Sequence, residues 1–139
     1  MRDDKILMVK NSRDNYYYSV GGRVRFGESA QFALRREVRE EIGVDCTVGE
    51  LAVVHENLFY ERGRKYHELA LFFNVTLPQD AVLRGEQLND SGLTEKFEWL
   101  PIDKLDRLAL YPQALKTELC RLQSDILHVV TNEWKKRTD

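Results

Sequence analysis

The segment from Gly22 to Val44, GRVRFGESAQFALRREVREEIGV, constrains this chain more than any other stretch of it. Ala30, Leu34, Val38 and Ile42 recur at every fourth position, which lays an apolar stripe along one side of a helix. Ser29 stands where an N-cap belongs, and Gly43 where a left-handed residue closes the C-terminus. A helix is therefore predicted over Ala30 to Ile42. Glu37, Glu40 and Glu41 then share one side of its last two turns through i,i+3 and i,i+4 spacing. Like charges so spaced repel by roughly 0.2–0.5 kcal/mol per pair. An exposed anion near the carboxyl end is disfavoured by about 0.3–1 kcal/mol more through the macrodipole. A helix built for stability alone carries Lys or Arg there. Local rules are broken in this way at functional sites.

The plain alternative is a solvated charged face. Arg35, Arg36 and Arg39 interleave with the glutamates, and Arg36 with Glu40 forms an opposite-charge i,i+4 pair. The upstream spacing decides against it. Gly22 is followed by five residues and Glu28, then by seven residues and Arg36-Glu37-Val38-Arg39-Glu40-Glu41-Ile42-Gly43-Val44. With each residue type used at roughly one position in fifteen, a chance match is below about one in a million. The pattern resembles the signature box of the Nudix hydrolases, and every defined position of that box is filled. Outside the box the likeness is one of layout.

Along the rest of the chain, Ile6 to Val9 reads as a strand, Lys10 to Asn15 as a polar turn and Tyr16 to Val20 as a second strand. Leu51 to Glu61 and Lys65 to Leu77 are long β-type segments joined by a hairpin tip at Arg62-Gly63-Arg64. Pro78 to Lys96 is polar and is predicted as an exposed loop. Phe97 to Leu100 reads as a short strand, and Pro101 opens a brief helix through Leu105. Pro112 opens a last amphipathic helix predicted to reach Trp134, with His128 packed on its apolar side. This order implies a mixed α/β sandwich in one domain, residues 1–139. The resemblance implies the Nudix-type mixed sheet sandwiched between helices. It also implies a strand ahead of Asp4 to Val9, where this chain has almost no residues. The edge at Ile6 to Val9 is therefore expected to be bare. A homodimer is the corresponding expectation, burying that edge or packing the hairpin around Leu58 to Tyr66.

Composition narrows the partners. A net charge of −2 over 139 residues, 42% of them hydrophobic, offers nothing to a nucleic-acid backbone or an anionic membrane. Arg2, Asp3, Asp4 and Lys5 precede too short an apolar run for a secretory leader, and no run approaches a membrane span. Cys46 and Cys120 fit neither a metal pair nor a disulfide framework, so they are expected as buried free thiols. A cytoplasmic location follows from these readings.

Three carboxylates converging on one helical face offer hard oxygen ligands suited to Mg²⁺ or Mn²⁺. They repel one another until a divalent ion neutralises them. Mg²⁺ held by carboxylates and substrate phosphates fits hydrolysis of a phosphoanhydride. No Ser–His–Asp or Cys–His grouping supports a covalent route, so direct attack by water is expected. The resemblance implies that Glu40 and Glu41 are metal ligands and that Glu37 is a ligand or supports one. It implies that Arg36 orients a box glutamate and that Glu28 braces the loop and joins the metal shell. Gly22 and Gly43 would permit the turns at either end. The family's general base is often a glutamate on a loop before the strand resembling Phe97-Glu98-Trp99, which makes Glu95 the first candidate and Glu86 the second. Arg23 and Arg25 are candidates for substrate phosphates, as are the hairpin-tip Arg62, Arg64 and Lys65. Tyr60, about sixteen residues past the box, resembles a marker of dinucleoside polyphosphate hydrolases. His55 reads as a satisfied strand histidine.

The expected activity is a divalent-metal-dependent pyrophosphohydrolase acting on a nucleoside diphosphate linked to another moiety. The alternatives are a nucleoside-triphosphate pyrophosphohydrolase and a Nudix-like module that senses nucleotides without turnover.

Overall fold

Met8 and Val9 stand side by side, and both are buried. A strand allows this only when each of its faces is covered. The computed structural model, which describes residues 3–118 and 125–134, places that strand, β1 (Lys5–Asn11), in the middle of a five-stranded sheet. β2 (Tyr17–Ser19) pairs antiparallel with it at Met8 and Val9. β6 (Thr94–Pro101) pairs antiparallel along its whole length, from Lys5 opposite Pro101 to Asn11 opposite Glu95. β5 (Glu86–Leu88) lies outside β6, and β7 (Leu110–Tyr111) runs parallel to β2 on the other side. The expected bare edge at Ile6 to Val9 is thus corrected. β6 and β2 take its two sides, because the chain returns at residues 94 to 101 to pair along one of them.

Helix α1 (Ala30–Ile42) has the predicted bounds and caps. Ser29 Oγ accepts from Phe32 N at 3.2 Å, and Gly43, at φ 79°, donates its N–H to Arg39 O. Val38 and Ile42 bury against Cys46, Leu7, Val20 and Phe97, so α1 covers one face of the sheet. Ala33 is buried as well, one position off the predicted stripe. On the opposite face Met8 meets Leu100, Leu105, Leu110 and Leu115. Leu105 belongs to a 3-10 helix, Ile102–Arg107, which begins after Pro101 as predicted, and Leu115 to α2 (Ala114–Glu118).

A second sheet is built on the hairpin of β3 (Thr47–Glu61) and β4 (Arg64–Thr76). Its tip turns through Arg62 and Gly63, both at positive φ. Phe72 reaches the Met8 cluster, while Val48 and Val75 reach the α1 cluster, so the hairpin closes both halves of the core. β8 (Leu127–Asn132) completes the order β4-β3-β8, running parallel to β3. The architecture is the predicted mixed α/β class.

Two predicted stretches differ. The last helix does not reach Trp134. Its described part ends at Glu118, residues 119–124 (Cys120 among them) lie outside the described residues, and Leu127–Asn132 is a strand. The run LHVVTN is rich in β-branched residues, and β3 offers it a free edge to pair with. His128 consequently stands exposed on that strand, with its Nε2 2.9 Å from Glu56 Oε1, instead of packing on a helix. The loop predicted over Pro78 to Lys96 holds β5 and the start of β6. Three residues are too few for a period to show, and it is pairing with Thr94 to Lys96 that makes them a strand. His55 is buried on β3 with its Nε2 2.8 Å from Thr131 Oγ1, but its Nδ1 is buried without a hydrogen-bond partner among the described residues, so the expectation of a satisfied strand histidine holds for one ring nitrogen only.

Candidate active site

Helical spacing puts Arg36 and the three glutamates on a common side of α1, and the loop from Gly21 to Glu28 folds back over that side. Arg36 joins the two. Its Nε donates to Glu28 Oε1 at 2.6 Å and its Nη2 to Glu28 Oε2 at 3.1 Å, a bidentate pairing. Nη1 donates to Glu37 Oε1 and, at 3.1 Å, to Glu40 Oε2. Nη2 also reaches the carbonyl of Arg23 at 3.2 Å. The expected i,i+4 pair is thus one bond of a hub that holds three carboxylates and a loop carbonyl. Glu28 takes a further hydrogen bond from the Arg25 backbone N–H at 2.8 Å. The Arg36 guanidinium, with that N–H, holds the Glu28 carboxyl down at about 2.

Gly22 makes room for this arrangement. A Cβ built there would fall on the Glu37 carboxylate. The requirement for glycine at this position is therefore one of close approach.

Glu41 meets the loop at Gly21. Its Oε2 accepts from the Gly21 backbone N–H at 3.3 Å. Burial, with the charge of Glu95 adding to it, pushes its carboxyl up to about 8. Glu95 is buried on β6, facing this group from outside the box. Its Oε1 accepts from the Tyr18 hydroxyl at 2.8 Å and from Asn89 Nδ2 at 3.0 Å, and its Oε2 from Gln87 Nε2 at 3.3 Å. Burial keeps the Tyr18 phenol well above its ordinary value, so it remains a donor. Glu86, the second candidate base, is exposed on β5 opposite Lys96.

Folding therefore gathers Glu28, Arg36, Glu37, Glu40, Glu41 and Glu95, with Arg25 Nη2 3.9 Å from Glu40 Oε1. Arg23 contributes its carbonyl, and its side chain is exposed. Tyr60 sits one rung from the hairpin tip, with Lys65 Nζ 6.0 Å from its ring centroid. Arg62 and Arg64 lie at the same tip. Gln87, Asn89 and Arg84 are not legible as site residues in the sequence, and Tyr18, one of the tyrosines at 16 to 18 that could stack on a base, is not legible as a partner of Glu95. Their signal is faint: Gln87 and Asn89 are two apart, which puts both on one side of a strand that periodicity could not reveal.

All the candidate ligands are carboxylate oxygens, which suits a hard divalent cation. Yet among the described residues no three His, Cys, Asp or Glu side chains surround a common point. Arg36 draws Glu37 and Glu40 to itself, and Glu41 turns to the Gly21 N–H.

Comparison with known proteins places this geometry. A NUDIX domain model matches residues 1–119. A CTP pyrophosphohydrolase of Escherichia coli (strain K12) is 39% identical over 59 residues, 40% of this chain and 44% of that protein. An uncharacterized Nudix hydrolase of Bacillus subtilis (strain 168) is 26% identical over 110 residues, 79% of this chain and 66% of that protein. The chain thus spans less than two thirds of either relative. The crystal structure of a mutator MutT protein from Bacillus halodurans superposes with TM-score 0.65 over 94% of this chain and 84% of that one. At 20% identity it attests the fold alone. With the family match running over residues 1–119 and the box filled from Gly22 to Val44, the chain belongs to the Nudix family.

Proposed function

We propose that this chain is a divalent-metal-dependent pyrophosphohydrolase that cleaves a phosphoanhydride bond of a nucleoside diphosphate linked to another moiety. The observation that carries the reading is that a half-buried carboxylate on α1, Glu41, feels the charge of a buried one on β6, Glu95, beside a helix end already crowded with Glu37 and Glu40. A fold gains nothing from burying like charges together, so the group serves a ligand that carries positive charge. Glu37, Glu40 and Glu41 would hold Mg²⁺ or Mn²⁺, with Glu28 beside them. Such an ion neutralises diphosphate charge and lowers the pKa of water.

The chain's own residues do the rest. Arg36 keeps Glu28, Glu37 and Glu40 within reach of one another and pins the loop that carries Arg23 and Arg25. Those two arginines meet the substrate phosphates. Glu95, held through both oxygens, takes the proton of the attacking water as general base. Tyr60 lies apart on the hairpin, where it would meet the far moiety of a bound dinucleotide. The substrate is a small nucleotide, and the enzyme works in the cytoplasm.

A second reading, a nucleoside-triphosphate pyrophosphohydrolase, draws support from the likeness to the E. coli CTP pyrophosphohydrolase. The two differ only in the group attached beyond the nucleoside diphosphate. ADP-ribose, NADH, sugar nucleotides, diadenosine polyphosphates, CTP and dNTPs, each with Mg²⁺ and a phosphatase-coupled readout, separate them. Hydrolysis of a linked nucleoside diphosphate in preference to the triphosphates is expected. Tight binding of one probe with no turnover of any would instead mark a sensor. Glu40→Gln and Glu41→Gln should each lower kcat by at least about a hundredfold and raise the Mg²⁺ needed for half-maximal rate. Unchanged metal dependence in both variants sinks the ligand assignment.

With β1 covered, the homodimer rests on the hairpin around Leu58 to Tyr66. Sedimentation at micromolar concentration decides it, since a mass fixed near 16.3 kDa ends the proposal.

A further inference from the structure

Arg84 and Gln87 connect the two halves of the site without belonging to either. The Arg84 backbone N–H donates to Ile42 O at 3.0 Å, and its Nη1 donates to Glu40 O at 3.1 Å. Backbone and side chain of one residue thus take two of the carbonyls that the last turn of α1 leaves without helical partners. The same Nη1 donates to Gln87 Oε1 at 3.2 Å. Gln87 is directly opposite Glu95 in the β5–β6 register, and its Nε2 donates to Glu95 Oε2. The arginine settles which way this amide faces, since its guanidinium can only donate and must therefore meet the amide oxygen. Hydrogen bonds therefore run unbroken from the carboxyl end of α1 through Arg84 and Gln87 to Glu95.

We propose that Arg84 and Gln87 are positioning residues, a strut that sets Glu95 at a fixed place against the carboxylate end of α1. The inference rests on the reading of Glu95 as general base. Two physical arguments support it. Glu95 faces an acidic helix end, and like charges would drive its side chain away unless donors held it. Tyr18 and Asn89 fasten Oε1, and Gln87 fastens Oε2. Next, an arginine touching Glu95 directly would set a full positive charge and two donors against the oxygens that are to receive the proton. The neutral amide between them passes on position without the full charge.

Asn89 strengthens the design. Its Oδ1 accepts from the backbone N–H groups of Ser91 and Leu93 at 3.0 Å each, closing the turn between β5 and β6, while its Nδ2 holds Glu95. The turn and the strut therefore hold the same carboxylate from two sides.

The test is a double-mutant cycle on the full chain with Mg²⁺ and the panel nucleotide that turns over fastest. Circular dichroism checks the fold of each variant. Gln87→Leu and Arg84→Met should each lower kcat about tenfold while KM changes less than about twofold, and Arg84→Lys should restore part of the loss. In a Glu95→Gln background, Gln87→Leu should have no further effect, because the strut acts only through Glu95. An equal loss in both backgrounds, or parent kcat in Gln87→Leu and Arg84→Met beside an impaired Glu95→Gln, overturns the strut and leaves the base reading standing. Parent kcat in Glu95→Gln, or a parent chain inert on the whole panel, removes the base reading and the strut together. Arg84→Met reports from the exposed end of the strut should Gln87→Leu fail to fold.

Discussion

Arg36 makes four side-chain carboxylate hydrogen bonds to three glutamates, and its own position is set by the loop carbonyl of Arg23. Its neighbour in space is Gly22, whose missing side chain is as much a part of the site as the glutamates. Gly22→Ala would drive the Glu37 carboxylate from its seat beside Arg36. We expect kcat to drop at least about tenfold and the thermal midpoint to move little, because Gly22 is exposed and its backbone demands no left-handed conformation. Kinetics and a melt on one preparation check this. A large fall in midpoint with kcat intact would show that the glycine serves the fold instead. Gly43 is glycine for a different reason, its φ of 79° at the end of α1.

Among the elements, α1 carries its own instructions. Removing its cap with Ser29→Ala should cost about 1 kcal/mol, read as a shift in denaturation midpoint with an unchanged slope. The 3-10 helix Ile102–Arg107 depends instead on what it buries. Leu105→Ala would leave a void beside Met8, Leu100, Leu110 and Leu115, and should cost about 2–5 kcal/mol. A loss below about 1 kcal/mol would mean that the cluster collapses into the space. β5 and β8 illustrate the opposite dependence. Each exists because a partner strand supplies its hydrogen bonds, β6 for the first and β3 for the second.

Two groups far apart in the sequence shape the stability of the whole molecule together. Folded Glu41 keeps its proton up to about pH 8, whereas the unfolded chain releases it near 4.5. Between those values the unfolded state binds fewer protons, so stability falls as pH rises, by a few kcal/mol in all. Burial pushes His55 below its ordinary 6.5, so below that pH the unfolded chain takes up a proton that the folded chain refuses. There stability falls as pH falls. Metal-free protein should therefore melt higher at pH 6.5 than at pH 8, with the gain slowing below 6.5. Glu41→Gln should flatten the upper part of the profile and His55→Gln should relieve the lower. A wild-type slope between pH 6.5 and 8 persisting in Glu41→Gln would assign it to another group.

The helix, its caps, its apolar stripe and the chemistry of its glutamates were legible along the chain because each depends on residues at most a few positions apart. So was the hairpin, whose two strands are adjacent and long. Glu95 could be picked out by its place before a strand, but not the hold on it: Tyr18 is remote in sequence from Gln87 and Asn89, and only sheet pairing brings all three to one carboxylate. The coverage of β1 by β6 and the conversion of Leu127–Asn132 from a helical expectation to a strand have the same origin. In each, local preference permits more than one arrangement, and a hydrogen-bonding or ionic partner that is remote in sequence, or fixed only by the folded backbone, selects among them.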